Sequence, residues 1–167
     1  MLLLINNFIK MNQILKFSSK IFDEIIVEGL INLKVKRNFK SFRTFDLKIF
    51  QENKHLLTIS SANDFLQIKY STPHNETGFA IAIENDRRLL IDNDQLELKV
   101  EKTYPFKNKY AEVWMNSKQV GEILFEKKFL NIVLNFHTTN EFELDENKVL
   151  KIAILVVLNI LDLDGSE

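Results

Sequence analysis

The sequence predicts an all-β protein with one helix: a closed antiparallel β-barrel of about twelve strands around a hydrophobic C-terminal helix. Three observations carry this expectation. Short runs of alternating apolar and polar residues recur at nearly regular spacing, broken by polar turns, as strands of a sandwich or barrel do. The last long element abandons that alternation and is apolar over most of its circumference. The composition is globular: 46% of the 167 residues are apolar, while Gly (4) and Pro (2) are too scarce for a fibrous or disordered chain. One domain over residues 12–167, preceded by an N-terminal extension of residues 1–11, accounts for this length.

Residues 13–17, 21–27 and 30–36 are the first, less regular strand candidates. In the third, Ile31, Leu33 and Val35 share a core face while Lys34 and Lys36 share the other. Thr44–Gln51 alternates cleanly, with Phe45, Leu47 and Ile49 on one side. Glu52-Asn53 turns it into a strand at 54–60, and Ser61–Asn63 is expected to turn that one into 64–70. Two weaker candidates follow at 78–84 and 87–91. Residues 95–102 then alternate Leu96, Leu98 and Val100. Lys109–Met115 and 118–125 flank Asn116-Ser117, a two-residue loop suited to a hairpin, and 129–136 closes the series.

The helix is expected over about 146–163, with Asp145 as its N-cap. At about 100° per residue, Lys148, Lys151, Asn159 and Asp162 fall within about one quarter of the circumference. The rest is Val, Leu, Ile and Ala, a far wider apolar face than a surface helix shows. Protein should therefore surround it. A buried Lys151 requires a carboxylate from the barrel wall, and the polar stripe is expected to look toward a gap or mouth. The 14 Phe are expected to fill the interior.

This ending, VLKIAILVVLNILDL after Asp145-Glu146, resembles the tail of the tubby C-terminal-like superfamily, in its LURP-one-related and phospholipid scramblase-like branch. The hairpin AEVWMNSKQVGEILF of residues 111–125 is similar to hairpins of those proteins. The resemblance implies a barrel of about twelve strands around a central helix. For function it implies a link to phospholipid or phosphoinositide membranes. No functional residue is carried over from it.

Several function classes are disfavoured. With a net charge of −1, no global field draws nucleic acid, and no nucleic-acid partner is expected. Without Cys there is no disulfide, thiol nucleophile or Cys zinc site. No Walker loop, dinucleotide fingerprint or GxSxG elbow is present, so no cofactor and no enzymatic activity are expected. The start, MLLLINNFIKM, is interrupted by Asn6, Asn7 and Lys10, unlike a secretory signal, and Met11 is an alternative start. A cytoplasmic protein, or one peripheral at a membrane, is the expectation.

The candidate lipid- or anion-binding residues are Lys34, Lys36, Arg37, Lys40 and Arg43, interleaved with Phe39 and Phe42. Arg87-Arg88, beside Glu84 and Asp86, reads as a turn with local ion pairing. His55, His74 and His137 lack metal-ligand spacing, and no metal site is expected. The carboxylates Glu141, Glu143, Asp145 and Glu146 suit a helix start. Asp92-Asn93-Asp94 reads as a turn, and residues 71–78 as a polar loop. The expected function is a non-enzymatic intracellular binding module for an anionic phospholipid or membrane surface. The alternative is a protein-interaction or scaffold domain without a small ligand.

Overall fold

The structure, a computed structural model, describes residues 12–20, 24–41, 44–101, 108–128, 131–138 and 143–163. Residues 1–11, the expected N-terminal extension, lie outside the described residues. Twelve strands form one antiparallel sheet: β1 (Asn12–Lys20), β2 (Glu24–Gly29), β3 (Leu33–Ser41), β4 (Thr44–Gln51), β5 (Lys54–Asp64), β6 (Gln67–Asn75), β7 (Ile81–Asn85), β8 (Arg88–Ile91), β9 (Asp94–Val100), β10 (Lys109–Met115), β11 (Lys118–Lys128) and β12 (Asn131–Thr138). Each strand pairs with its sequence neighbour, and β1 pairs with β12, which brings the ends of the meander together. The sheet order then runs from β6 round to β7, so the nearly closed barrel has its seam between these two strands. Asn75 spans the base of the seam, donating from Nδ2 to the Phe79 carbonyl at 2.7 Å.

The turn chemistry explains the tight hairpins. Glu52-Asn53 and Asn116-Ser117 all adopt positive φ, as the type I′ geometry matching strand twist demands. The two hairpins expected at these sites are therefore present. The β5–β6 turn is not at Ser61–Asn63 but at Phe65-Leu66, and β5 runs straight through the polar triplet to Asp64. The expected polar loop at 71–78 is mostly strand: β6 continues to Asn75, and only then does an Asx turn form, with Thr77 N donating to Asn75 Oδ1 at 3.0 Å.

Helix α1 (Glu146–Leu163) follows β12 and fills the barrel. Asp145 caps it, its Oδ1 accepting from Lys148 N at 2.8 Å. Residues 151–160 are all buried, nearly three full turns with no wet face. Since β-branched residues dominate this stretch, its helical state rests on packing rather than intrinsic propensity. The sheet meets it with inward-facing aliphatics such as Leu15, Ile25, Val35, Leu47, Ile59, Leu96 and Ile123, each fully buried.

The described Phe residues do not fill the interior as expected. Among the described Phe residues, only Phe17 and Phe136 are fully buried. The helix already occupies the centre, leaving space for branched aliphatics between it and the wall. Instead Phe39 and Phe65 are exposed, and Phe45, Phe50, Phe79 and Phe125 are half-buried.

Polar groups of the barrel wall meet the described part of the helix's polar stripe. Lys151 Nζ lies 2.8 Å from Asp94 Oδ2 and 3.8 Å from Asp92 Oδ2, with the Phe79 ring at 4.9 Å. The barrel wall thus supplies the carboxylate that a buried ammonium needs. One end of the β7–β9 region holds Lys151; the other holds Asn159. Tyr110 Oη donates to Asn159 Oδ1 at 2.5 Å, and Asn159 Nδ2 donates to Asp86 Oδ2 at 3.1 Å. Asp92 and Asp94, expected only to form a turn, are also clamps on the helix.

Candidate functional site

The basic stretch lies on β3, and strand alternation divides it. Lys34, Lys36 and Lys40 point outward and are exposed. Arg37 is on the inward parity with Leu33 and Val35 and is 5% exposed. Its Nη2 donates to Ser19 Oγ at 3.4 Å, and its guanidinium lies 5.9 Å from the Phe39 ring centroid. Arg37 is therefore not presented with the lysines on the outer wall. Arg43 lies outside the described residues.

Two of the outward lysines already have carboxylate partners. Lys34 Nζ is 2.9 Å from Glu24, and Lys40 Nζ is 2.7 Å from Asp46. The Lys40 contact and a 2.6 Å bond from Ser60 Oγ hold the Asp46 carboxyl below its usual value. Lys36 is different. It sits directly across from Lys48 of β4, and among the described residues neither ammonium has a carboxylate within ion-pair distance. Like charges directly opposite on one sheet face destabilise it. Lys36 instead lies 5.6 Å from the Phe50 ring.

Sequence reasoning did not find what stands beside this pair. Lys48 pairs in register with Thr58, and Thr58 with His74, so one row of the outer wall reads Lys36, Lys48, Thr58, His74. Next to it the rings of Phe50 and His55 stack at 5.0 Å, and those of His55 and His74 at 4.0 Å. His55 Nε2 pairs with Thr58 Oγ1 at 2.8 Å, and His74 Nε2 donates to the His55 carbonyl at 3.0 Å. Partial burial, and then the neighbouring His74, hold the His55 imidazole below its usual value. The two histidines are 19 positions apart, so only cross-strand register joins them. Predicted β4 and β5 runs, paired through the Glu52-Asn53 turn, carried the signal for Phe50 and His55.

A groove of about 520 Å³ opens beside this wall, between the β2–β3 and β4–β5 turns. Lys34, Lys36, Glu28 and Glu52 line it over Phe50 and Ile26. Its charge is mixed, so it is no anion cradle by itself. Among the other candidates, Arg88 pairs with Glu97 at 3.3 Å and Glu84 at 3.8 Å, the local ion pairing expected of that turn. Glu141 lies outside the described residues, while Glu143 and Glu146 are exposed. Among the described residues no cluster of three or more His, Asp or Glu could hold a metal ion. No described helix is long and apolar enough to cross a membrane.

No protein-family model, curated protein or solved structure matches this chain.

Proposed function

We propose that this chain is a non-enzymatic binding module that docks on an anionic phospholipid surface through the outer wall of β3–β6. The observation that supports this reading is the Lys36–Lys48 pair. Two ammonium groups stand opposite each other, neither within ion-pair distance of a carboxylate among the described residues, and a bound anion would relieve the repulsion that Glu24, in register with Lys36, and Asp46, beside Lys48, offset only in part. A phosphate or carboxylate of a lipid headgroup would accept from both, with the Phe50–His55–His74 stack beside it. The tubby-like pattern of a barrel threaded by a hydrophobic helix supports the same reading by analogy of fold. Lys34 and Lys40 take a lesser part, since each would have to leave Glu24 or Asp46.

The test is charge reversal at Lys36→Glu and Lys48→Glu. Both side chains are exposed, so the variant should fold. A marked drop in co-sedimentation with anionic vesicles at low salt, with melting unchanged, is the expected result. Undiminished binding would reject this wall as the contact. The mixed-charge groove favours a second reading, a protein-interaction domain. It expects no vesicle binding at any salt, and a specific protein held at Glu28, Glu52 and Lys34.

A further inference from the structure

The β5–β6 hairpin departs from the barrel's other tight turns. Those are polar at their tips: Glu52-Asn53, Asp92-Asn93 and Asn116-Ser117. Here the tip is Phe65-Leu66, with relative exposures of 103% and 98%. Phe65 also has φ 57°, whereas every other described non-Gly residue at positive φ is Glu, Asn, Asp or Ser. A bulky ring is disfavoured in that backbone region, and Gly is the residue such a turn position prefers. Turn chemistry and the hydrophobic effect thus both oppose Phe at this position. Strained, locally inconsistent residues of this kind concentrate at functional sites.

The hairpin ladder runs past the last β4–β5 register pair. The β4–β5 register ends at Asp46↔Ser60, while β5 and β6 stay paired to Asp64↔Gln67. β4 still holds the ribbon at Ser61, where Phe45 N donates to Ser61 Oγ at 3.0 Å, and beyond it the hairpin ladder runs on through Asp64↔Gln67 to the tip.

We propose that Phe65 and Leu66 insert into the interfacial layer of a phospholipid bilayer and anchor this end of the barrel on it. The proposal deepens the membrane reading above and rests on it. The tip is convex, with both side chains standing almost wholly in the open. An aromatic side chain presents roughly 150–250 Å², so two side chains fall well short of the ~800 Å² per partner of a stable protein interface. A bilayer needs no such complementary surface.

Two lysines lie at this end, each held by a carboxylate: Lys69 just behind the tip by Asp64, and Lys40 on the adjoining wall by Asp46. The Lys36–Lys48 row follows along the same wall, about 20 Å from the tip.

The test compares wild type, F65G/L66S and K36E/K48E on phosphatidylcholine vesicles with and without phosphatidylserine, at low and high salt. Gly at position 65 relieves the backbone, so F65G/L66S should melt no lower than wild type while its vesicle affinity drops ~10-fold or more, the factor that burying one such side chain is worth. The chain has no Cys, so L66C carries a single environment-sensitive dye, whose emission should shift to the blue with vesicles. Salt-resistant residual binding should vanish in F65G/L66S and persist in K36E/K48E. Wild-type-like binding by F65G/L66S beside loss in K36E/K48E would overturn the anchor and leave the lysine contact standing. The reverse pattern supports the anchor and rejects the lysine contact. Absence of wild-type binding to any vesicle overturns both.

Discussion

Removing the charge of Asp94 should cost far more than removing the charge of Lys151, although the two form one pair. Lys151 Nζ is 2.8 Å from Asp94, and its side chain is 10% exposed, against 24% for Asp94. Asp94→Asn keeps the side-chain shape and an oxygen acceptor but leaves a nearly buried ammonium with Asp92 at 3.8 Å and the Phe79 ring. Breaking a fully buried pair from one side costs about 3–5 kcal/mol. Because Asp92 remains and Asp94 is partly hydrated, about 1–3 kcal/mol is expected here. For a domain of this size that lowers Tm by roughly 4–8 °C at the middle of the range. Lys151→Met removes the buried charge instead and fills the same channel. It leaves Asp94 accepting from Asn116 Nδ2 at 2.8 Å and open to water, so a loss under about 1 kcal/mol is expected. Urea denaturation of the three proteins at neutral pH, with the slope checked for constancy, measures both. If Lys151→Met destabilises as much as Asp94→Asn, the ammonium is not the buried partner and the clamp is misdescribed.

Other perturbations probe different parts of the account. Val157→Asp places a carboxylate at a fully buried helix position within the aliphatic core and should abolish cooperative melting. Gly121→Ala should lower Tm markedly, because a Cβ there would sit 2.2 Å from the His137 carbonyl oxygen and 2.5 Å from the Phe136 ring, both across the β11–β12 pair. Acid should weaken the fold. Asp94 is held below its ordinary 3.8 first by Lys151, and Glu112 below 4.5 first by Lys109. A depressed carboxyl contributes stability above its unfolded value and loses it as pH falls through the folded one. Urea midpoints should therefore decline slightly below about pH 6.5, where the unfolded His55 takes up a proton that its depressed folded form does not, and fall further below about pH 4. At the alkaline end the sign reverses for Lys109, which Glu112 holds above its ordinary value; its contribution is present below 10.5 and fades as pH rises past the folded value.

Much of this architecture was legible because burial imposes periodicity. The helix at 146–163 was readable from a polar stripe confined to one quarter of its surface, and β4 and β10 from clean alternation between good turns. The β5–β6 turn was misplaced because Ser61-Ala62-Asn63 has turn composition while Phe65-Leu66 has none. Burial pressure does not choose the residues at that tip, so no core pattern marks it. Parity already placed Arg37 with Leu33 and Val35, but a run of cations obscured it. The requirement for a wall carboxylate at Lys151 was physical and readable; that Asp92 and Asp94 meet it depends on a contact 57 positions long. The Phe50–His55–His74 stack likewise depends on register across three strands, which composition does not encode.

Sedimenting the wild-type protein with vesicles decides whether this barrel docks on anionic membranes as proposed. Strong binding to phosphatidylserine-containing vesicles is expected at low salt. Weaker but measurable binding is expected at high salt, with similar weak binding to neutral vesicles. Protein left wholly in the supernatant under all of these conditions would contradict that docking.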